Sequence, residues 1–489
     1  MLLQLFYSPS VSAASALSSS DIASLRQYIA DAVSREHISG ATLAIASENQ
    51  TILLEAFGKR NVTSNTDMTT DTLFHIGSTN KAITSFLIGI LVDEGVLTWD
   101  TKAIDIYPNF TLSNQSYANQ ITIRQLLDMS SGLPRDVDAV FDNAPRFILE
   151  GLGNAALLAA PGVQYQYSNV GISMAAYLAV LAKAKADNGT ITETDLDNLH
   201  AGYEQLLREK VLVPLGMSDA YLYIDEARNT GKMANSHHLD NDTFVVSESN
   251  DQRVDNIAPA GGLKTSANSL LRYMITEMQQ GLSPEGTRIL SSSSSNIRQT
   301  LSAGVASKEE YGLGLEVKTL SDGLQYIGHS GSFDDFNSVM GFFPDKKIAF
   351  ALLINTESPR ALQLTGESGI ENTIAELLNQ GVINKATEGN SNHINYFKLV
   401  LSKALSVDVS VNYQTRDNTA IAGKDYITTK DTVTIRAGQT SQTIGVKIIA
   451  DNESEEDERF SLVLTNPSGA NFPNGVQEIV ATHTIIDDD

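Results

Sequence analysis

Hydrophobic and polar positions follow two different rhythms along the chain, and the change falls near residue 385. Before it, over residues 25–380, alternating stretches are interleaved with stretches of three-to-four spacing. After it, from Tyr396, alternation dominates and helical spacing nearly vanishes. In the first region Thr42-Leu-Ala-Ile-Ala and Thr51-Ile-Leu-Leu-Glu flank the polar Glu48-Asn49-Gln50, the pattern of two antiparallel strands joined by a turn. Three more strands are expected at 324–328, 337–343 and 348–355, the last two turning at Pro344-Asp345-Lys346, and a helix over 367–378 closes the region. Between the strand groups, Leu126-Leu127-Asp128 and residues 174–184 and 203–211 carry helical spacing. The region therefore reads as an antiparallel sheet flanked by helices, with an inserted helical lobe. The serine run 291–295 reads as a solvated loop before a helix, without a part in any chemistry.

In the second region Val407, Val409, Val411 and Tyr413 face one way, and Asp408, Ser410 and Asn412 the other. The same alternation returns at Val433 and Ile435, at Ile444, Val446 and Ile448, at Phe460, Leu462 and Leu464, and from Val480 to Ile486. Short alternating strands separated by turn residues predict an all-β, immunoglobulin-like sandwich. The fold class expected is thus a multidomain α+β protein, with domains at 22–381 and 384–489. Residues 1–21 read as a front-truncated export signal or a disordered tail. They pair a short apolar stretch with a small-residue run ending Ala14-Ser15-Ala16, but the first basic residue is Arg26.

A chain of 489 residues exceeds what one ordinary core organises. It has no run of eighteen apolar residues that would span a bilayer. Fifty-eight acidic against thirty-four basic side chains leave a net charge of −24, which repels phosphate backbones and excludes nucleic acid as the expected partner. There is no cysteine, so thiolate catalysis, disulfides and Cys-ligated zinc are excluded. No His-Glu-x-x-His pattern is present, and His237-His238 are adjacent and face apart in a strand, so no catalytic metal is expected.

Phe74-His75-Ile76-Gly77-Ser78-Thr79-Asn80-Lys81 is followed by Ile83, Phe86, Leu87, Ile90 and Leu91 at helical spacing, with Gly95 as the stop. Ser78 is then at a helix N-terminus, and Lys81 stands one turn away on the same face, within reach of the hydroxyl. A serine hydroxyl is a weak nucleophile until a neighbouring base takes its proton, and a buried lysine is such a base. Taken alone, the pair equally suits an N-cap beside an unrelated lysine. Two further segments add to it. Tyr165-Gln166-Tyr167-Ser168-Asn169 sets a phenol and a carboxamide two positions apart before an apolar helix. Gly328-His329-Ser330-Gly331-Ser332 ends a strand with a basic side chain, a hydroxyl and a glycine past which backbone can approach a substrate. Singly, Tyr167 suits a core position and His329 a structural one.

In this order the three segments resemble the serine β-lactamase and penicillin-recognising superfamily, and within it the class C, D-alanyl-D-alanine carboxypeptidase and family VIII esterase branch. Leu126-Leu-Asp-Met-Ser-Ser-Gly-Leu-Pro134, Pro214-Leu-Gly-Met217 and Pro259-Ala-Gly-Gly-Leu263 belong to the resemblance, which covers about residues 22–380. It implies Ser78 as the acylated nucleophile, with Lys81 as its base or that base's partner. It implies Tyr167 as proton shuttle, Asn169 as holder of a substrate carbonyl, and the N–H groups of Ser78 and Ser332 as oxyanion hole. His329 stands where β-lactamases usually carry lysine, which favours a peptide, amide or ester substrate over a β-lactam. β-Lactamase proper, or a non-catalytic binding or adhesion protein with an idle pocket, are the alternatives.

In the second region the carboxylates gather at 451–458 and 487–489, with Asp425 between Lys424 and Tyr426. Clustered like charges suit Ca²⁺, although a solvated edge that discourages strand-to-strand pairing has the same composition. Thr419-Ala-Ile-Ala-Gly-Lys-Asp-Tyr426, Ala437-Gly-Gln439, Glu455-Glu-Asp-Glu458 and Ile485-Ile-Asp-Asp-Asp489 look like a Calx-β domain. The resemblance implies Glu388, Asp425, Asp451, Glu455, Glu458, Asp487, Asp488 and Asp489 as Ca²⁺ ligands, with Ala450 standing where tight binders have another aspartate. Catalysis is expected to need no cofactor. The protein is expected to be secreted, periplasmic or cell-surface, with a cell-wall or surface component among its partners.

Overall fold

The alternating segments at 42–46 and 51–55 pair as expected, as β1 (Gly40–Ser47) and β2 (Thr51–Asn61), antiparallel with Ala44 opposite Leu54. They belong to a computed structural model that describes Leu3, Gln4 and residues 17–489 apart from 36, 49, 142, 242, 248–255, 303–304, 306–309, 321–323, 367–368, 381–384, 388–391, 402–403, 452–454, 456, 473–475 and 487–489. The chain divides into two units, Ile38–Glu367 and a second made of Met1–His37 with Ser368–Asp489. The helices Ser19–Arg35 and Ile370–Gln380 both fall in the second.

In the first unit a seven-stranded sheet is completed by β3 (Thr66–Asp67), β4 (Glu316–Thr319), β5 (Gln325–Phe333), β6 (Phe336–Phe343) and β7 (Ile348–Ile354), in the order β3-β2-β1-β7-β6-β5-β4. Every residue of β6 and β7 is buried, which requires cover on both faces. Strand β5 runs five residues past the expected end, so the Gly328 to Ser332 segment lies within the strand and does not terminate it. The reason is the tight turn to β6: Asp334 and Asp335 both have positive φ, at 48° and 63°, and Phe333 pairs with Phe336 across them. Short carboxylate side chains tolerate that conformation.

Two helices form the heart of the lobe: α1 (Asn80–Asp93), buried from Asn80 to Leu91, and α2 (Asn169–Asn188), buried from Val170 to Ala182. A helix apolar nearly all round belongs inside a domain. Ser168 caps α2 by accepting from the Gly171 amide at 2.9 Å, and Gly189 ends it in the left-handed region. Helix α3 (Leu199–Leu207) packs beside α2, and α4 (Ala267–Met278) lies on β1, β6 and β7. The serine run is not a solvated loop. It opens α5 (Ser292–Arg298), capped by Ser291 and with Ser294 and Ser295 buried. Hydroxyls that also reach a neighbouring carboxylate make good first-turn residues: Ser291 and Ser294 donate to Asp93 Oδ1 at 2.7 and 2.6 Å.

In the second unit the alternating segments form β8 (Lys385–Thr387), β9 (His393–Leu401), β10 (Val409–Asp417), β11 (Lys430–Ile435), β12 (Ser441–Ile448), β13 (Glu458–Ser468) and β14 (Glu478–Ile486). One sheet runs β8-β14-β13-β10-β11, and the other pairs β9 with β12. Phe397, Val411, Ile435, Val446, Phe460, Leu462 and Ile485, drawn from both sheets, fill one core between them. Val407 stays exposed before the first residue of β10. No helix among the described residues is long and apolar enough to cross a membrane.

Candidate active site and carboxylate cluster

Ser78 lies in a 3₁₀ turn, Gly77–Thr79, that feeds α1. Glycine is required on both sides of this turn. Gly77 has φ +52°, and a Cβ on it would fall 2.8 Å from the Ser332 carbonyl oxygen. A Cβ on Gly331 would fall 2.3 Å from the Ile76 carbonyl oxygen and 2.8 Å from the Ser78 amide nitrogen. Strand β5 and the serine turn therefore meet backbone to backbone. The hydroxyls of Thr79 and Ser338 hold the Ile76 carbonyl at 2.8 and 2.7 Å, which fixes the turn from a second direction. Ser78 itself caps neither helix, so its hydroxyl is left for other partners.

Lys81 supplies one of them, with Nζ donating to Ser78 Oγ at 2.8 Å and to the Ala260 carbonyl at 2.8 Å. The lysine is 1% exposed. Burial, reinforced by the charge of Arg135 and opposed by Asp136, holds its amine well below the usual lysine range. Tyr167 bonds to Ser78 as well, and burial raises its phenol above the ordinary tyrosine value. One neighbour is thus pushed toward accepting a proton and the other toward keeping one. Ser332 is exposed at the end of the Gly77 contact.

His329 is 2% exposed. Its Nε2 meets the Tyr311 hydroxyl at 2.9 Å and its Nδ1 the Ser330 carbonyl. A carbonyl only accepts, so Nδ1 carries the hydrogen and Nε2 receives that of Tyr311. Burial lowers the imidazole to about 4, so it is neutral at physiological pH. Asn169 opens α2, its Nδ2 donating to Asp136 Oδ1 at 2.7 Å and its amide to the Arg135 carbonyl at 2.9 Å. The six sequence-derived residues thus fall on three segments, the serine turn, the start of α2 and β5, with Ser78, Lys81 and Tyr167 in mutual contact.

Four neighbours were not singled out from the sequence. Ala260 lies inside the Pro259–Leu263 segment, whose role is the carbonyl that holds Lys81. Arg135 and Asp136 follow directly on Pro134, where only their position beside a recognisable segment hinted at them. Tyr311 had no local signal at all.

In the second unit the carboxylate oxygens of Asp425, Glu455 and Glu458 lie within 4.8 Å of one another, and Asp425 is 3% exposed. Burial and the hydrogen bond shared with Asp425 push Glu458 up to about 7. The Lys424 ammonium donates to Glu455 and stands 4.0 Å from Asp425 Oδ1. An all-oxygen, crowded, partly buried donor set of this kind fits a hard divalent cation. Asp451 is described but is not part of this group of three, and Glu388, Asp487, Asp488 and Asp489 lie outside the described residues.

Residues 25–368 match the family model described as Beta-lactamase, and residues 386–489 that of the Calx-beta domain. The chain is 25% identical over 345 residues to the Aspergillus campestris protein named "Unguisins hydrolase ungD'", a match that covers 68% of this chain and 61% of that protein's length. It is 25% identical over 337 residues to "Penicillin-binding protein 4" of Amycolatopsis lactamdurans, covering 66% of this chain and 83% of that one. Among solved structures, the octameric penicillin-binding protein homologue from Pyrococcus abyssi shares the fold with a TM-score of 0.57 and 22% identity, over 96% of this chain and 97% of that chain.

Proposed function

Because the chain belongs to the Beta-lactamase family, we propose that it is a serine hydrolase that works through an acyl-enzyme on Ser78, with a small peptide, amide or ester as substrate. The observation that carries this reading is the 2.8 Å contact between the Ser78 hydroxyl and an amine that burial holds well below the usual lysine range. Lys81 takes the Ser78 proton as Oγ bonds to the substrate carbonyl carbon. The oxyanion forms against the amides of Ser78 and Ser332, and Tyr167 passes a proton to the leaving group as its bond to carbon breaks, refilled by the proton that Lys81 took from Ser78. Water then enters on the same face, losing its proton to the same pair, and releases the acid and the serine. No cofactor enters these steps.

The neutral, doubly bonded His329 offers no cation to a substrate carboxylate, which supports an esterase-like or D-Ala-D-Ala carboxypeptidase-like activity over β-lactam hydrolysis. Intact-mass analysis after a fluorophosphonate probe is expected to show one adduct, at Ser78. Turnover of a p-nitrophenyl ester, a D-Ala-D-Ala peptide, a D-amino acid amide and a chromogenic cephalosporin then ranks the leaving groups. An adduct on another residue, or none, would sink the reading in favour of an idle binding pocket.

The second unit, by the same reasoning, binds Ca²⁺ through Asp425, Glu455 and Glu458, supported by their convergence within 4.8 Å. A secreted or cell-surface location, where calcium is abundant, and attachment to a wall or surface component belong to this reading. A ligand of the native state adds about 2.7 kcal/mol at a hundredfold excess over Kd. For a unit of about a hundred residues this raises the melting midpoint by more than about 10 °C. In the full chain, the transition of this unit is expected to move up by that amount in CaCl₂ relative to EDTA, and much less in MgCl₂. The shift should vanish in Asp425→Asn, with hydrolysis intact in EDTA. Equal melting in CaCl₂ and EDTA at matched ionic strength returns the cluster to a solvated edge.

A further inference from the structure

Two cations lean on one phenol ring. Lys81 Nζ lies 4.9 Å, and the guanidinium carbon of Arg135 5.0 Å, from the ring centroid of Tyr167. Lys81 is enclosed, whereas the Arg135 side chain is 66% exposed. The backbone that carries Arg135 is nevertheless held in place. Ser168 Oγ donates to the Pro134 carbonyl at 2.7 Å, the Asn169 amide to the Arg135 carbonyl at 2.9 Å, and Asn169 Nδ2 to Asp136 Oδ1 at 2.7 Å. These three bonds strap residues 134–136 to the segment that presents Tyr167. Asp136 also draws the guanidinium, with Oδ2 3.5 Å from Arg135 Nε. A pair of opposite charges therefore borders the reacting groups, and the steps above use neither member.

We propose that Arg135 is a positioning residue of the acylation step, fixing a positive charge against the Tyr167 ring so that the amine form of Lys81, the form that receives the Ser78 proton, is favoured, while Asp136 limits the effect by opposing it. The inference rests on the acyl-enzyme reading above. Like charge at close range disfavours a second cation, and a nearby carboxylate does the reverse. The other groups around the amine do not supply this influence. Tyr167 is held protonated by burial, and His329, facing the site from β5, is neutral. Glu316, on β4, acts on Tyr167 and His329. After burial, Arg135 is the largest influence lowering Lys81, and Asp136 is the one that counters it.

The test is the rate at which a fluorophosphonate labels Ser78 in the full chain, followed by intact mass from about pH 5 to 10, in the unaltered protein and in Arg135→Gln, Arg135→Lys and Asp136→Asn. Arg135→Gln is expected to move the ascending limb to higher pH by several tenths to about one unit. Arg135→Lys should restore most of the original position. Asp136→Asn, whose amide oxygen still accepts from Asn169, should move the limb the other way. Both shifts should shrink in 1 M NaCl, where the screening length falls from about 10 Å to about 3 Å. A limb unmoved in Arg135→Gln, or moved the same way in Arg135→Gln and Asp136→Asn, overturns the proposal, since mere loosening of the strap has no sign. If Ser78 of the unaltered chain takes no label at any pH, the acyl-enzyme reading falls first, and this inference with it.

Discussion

Alanine at Ser78 is expected to lower turnover by about 10⁴-fold or more while leaving the melting midpoint unchanged, because the hydroxyl makes no capping bond whose loss would weaken α1. Lys81→Ala and Tyr167→Phe should each cost about 10³-fold, for different reasons. The first removes a neighbour that burial pushes toward accepting a proton, and the second one that burial makes a reluctant acid. Both touch the same hydroxyl, so their effects should not multiply. The double variant is expected to be at most about tenfold worse than the poorer single one. Steady-state kcat/KM on the best ester of the panel is the measurement. A double variant that shows the full product of the two losses means that the residues act independently, and the shared proton path is wrong.

The largest expected effect on stability lies behind the site. Arg298 and Glu277 form an ion pair at 2.7 Å with neither side chain exposed. Arg298 Nη2 also donates to the Ala82 carbonyl at 2.9 Å, and its Nε to Ser85 Oγ at 3.0 Å. Ser85 in turn donates to the Leu313 carbonyl at 2.6 Å, and Gln299 reaches Glu277 Oε2 at 2.9 Å. The network clamps the first turns of α1, the helix that carries Lys81. Arg298→Met strands a buried carboxylate, a loss of about 3–5 kcal/mol. In a unit of this size that lowers the midpoint by roughly 10 °C. Adding Glu277→Leu should recover most of it, because a matched apolar pair of similar volume has no charge to desolvate. Thermal melting of the three proteins decides. A single variant within about 2 °C of the parent, or a double variant no better than the single, contradicts this account.

The outcomes for particular residues show which parts of the molecule are legible in a linear text. Strand pairing was, because β1, β6 and β7 bury continuous runs, with polar turns joining β1 to β2 and β6 to β7. Ser78 and Lys81 were also visible, since three residues along a helix is a short-range relation. The serine run was misread because its burial and its bonds to Asp93 depend on a residue about two hundred positions earlier. His329 was legible as the histidine in lysine's place, whereas its burial, which leaves it neutral, and its bond to Tyr311 were not, since no periodicity announces that Tyr311 will lie against it. Asn169 was placed by its motif, but its bond from Nδ2 to Asp136 had no signal in the sequence. In the sandwich the alternating strands were plain, while the carboxylates that converge are only three of the eight expected, the rest being Asp451, outside the group, and four residues outside those described.

The backbone contact between Gly77 and Ser332 has a consequence for biosynthesis. Ser78 and Lys81 leave the ribosome early, but the strand that carries Ser332, the proposed partner in the oxyanion hole, is translated long afterwards, from the far side of the helical lobe in sequence. Until β5 docks, the Ser78 amide lacks the nearby Ser332 backbone. In an unfolded chain burial no longer depresses the Lys81 amine, so Ser78 stands beside an ordinary lysine. On the acyl-enzyme reading proposed above, reactivity therefore appears only with the finished sheet, and the chemistry is withheld during synthesis.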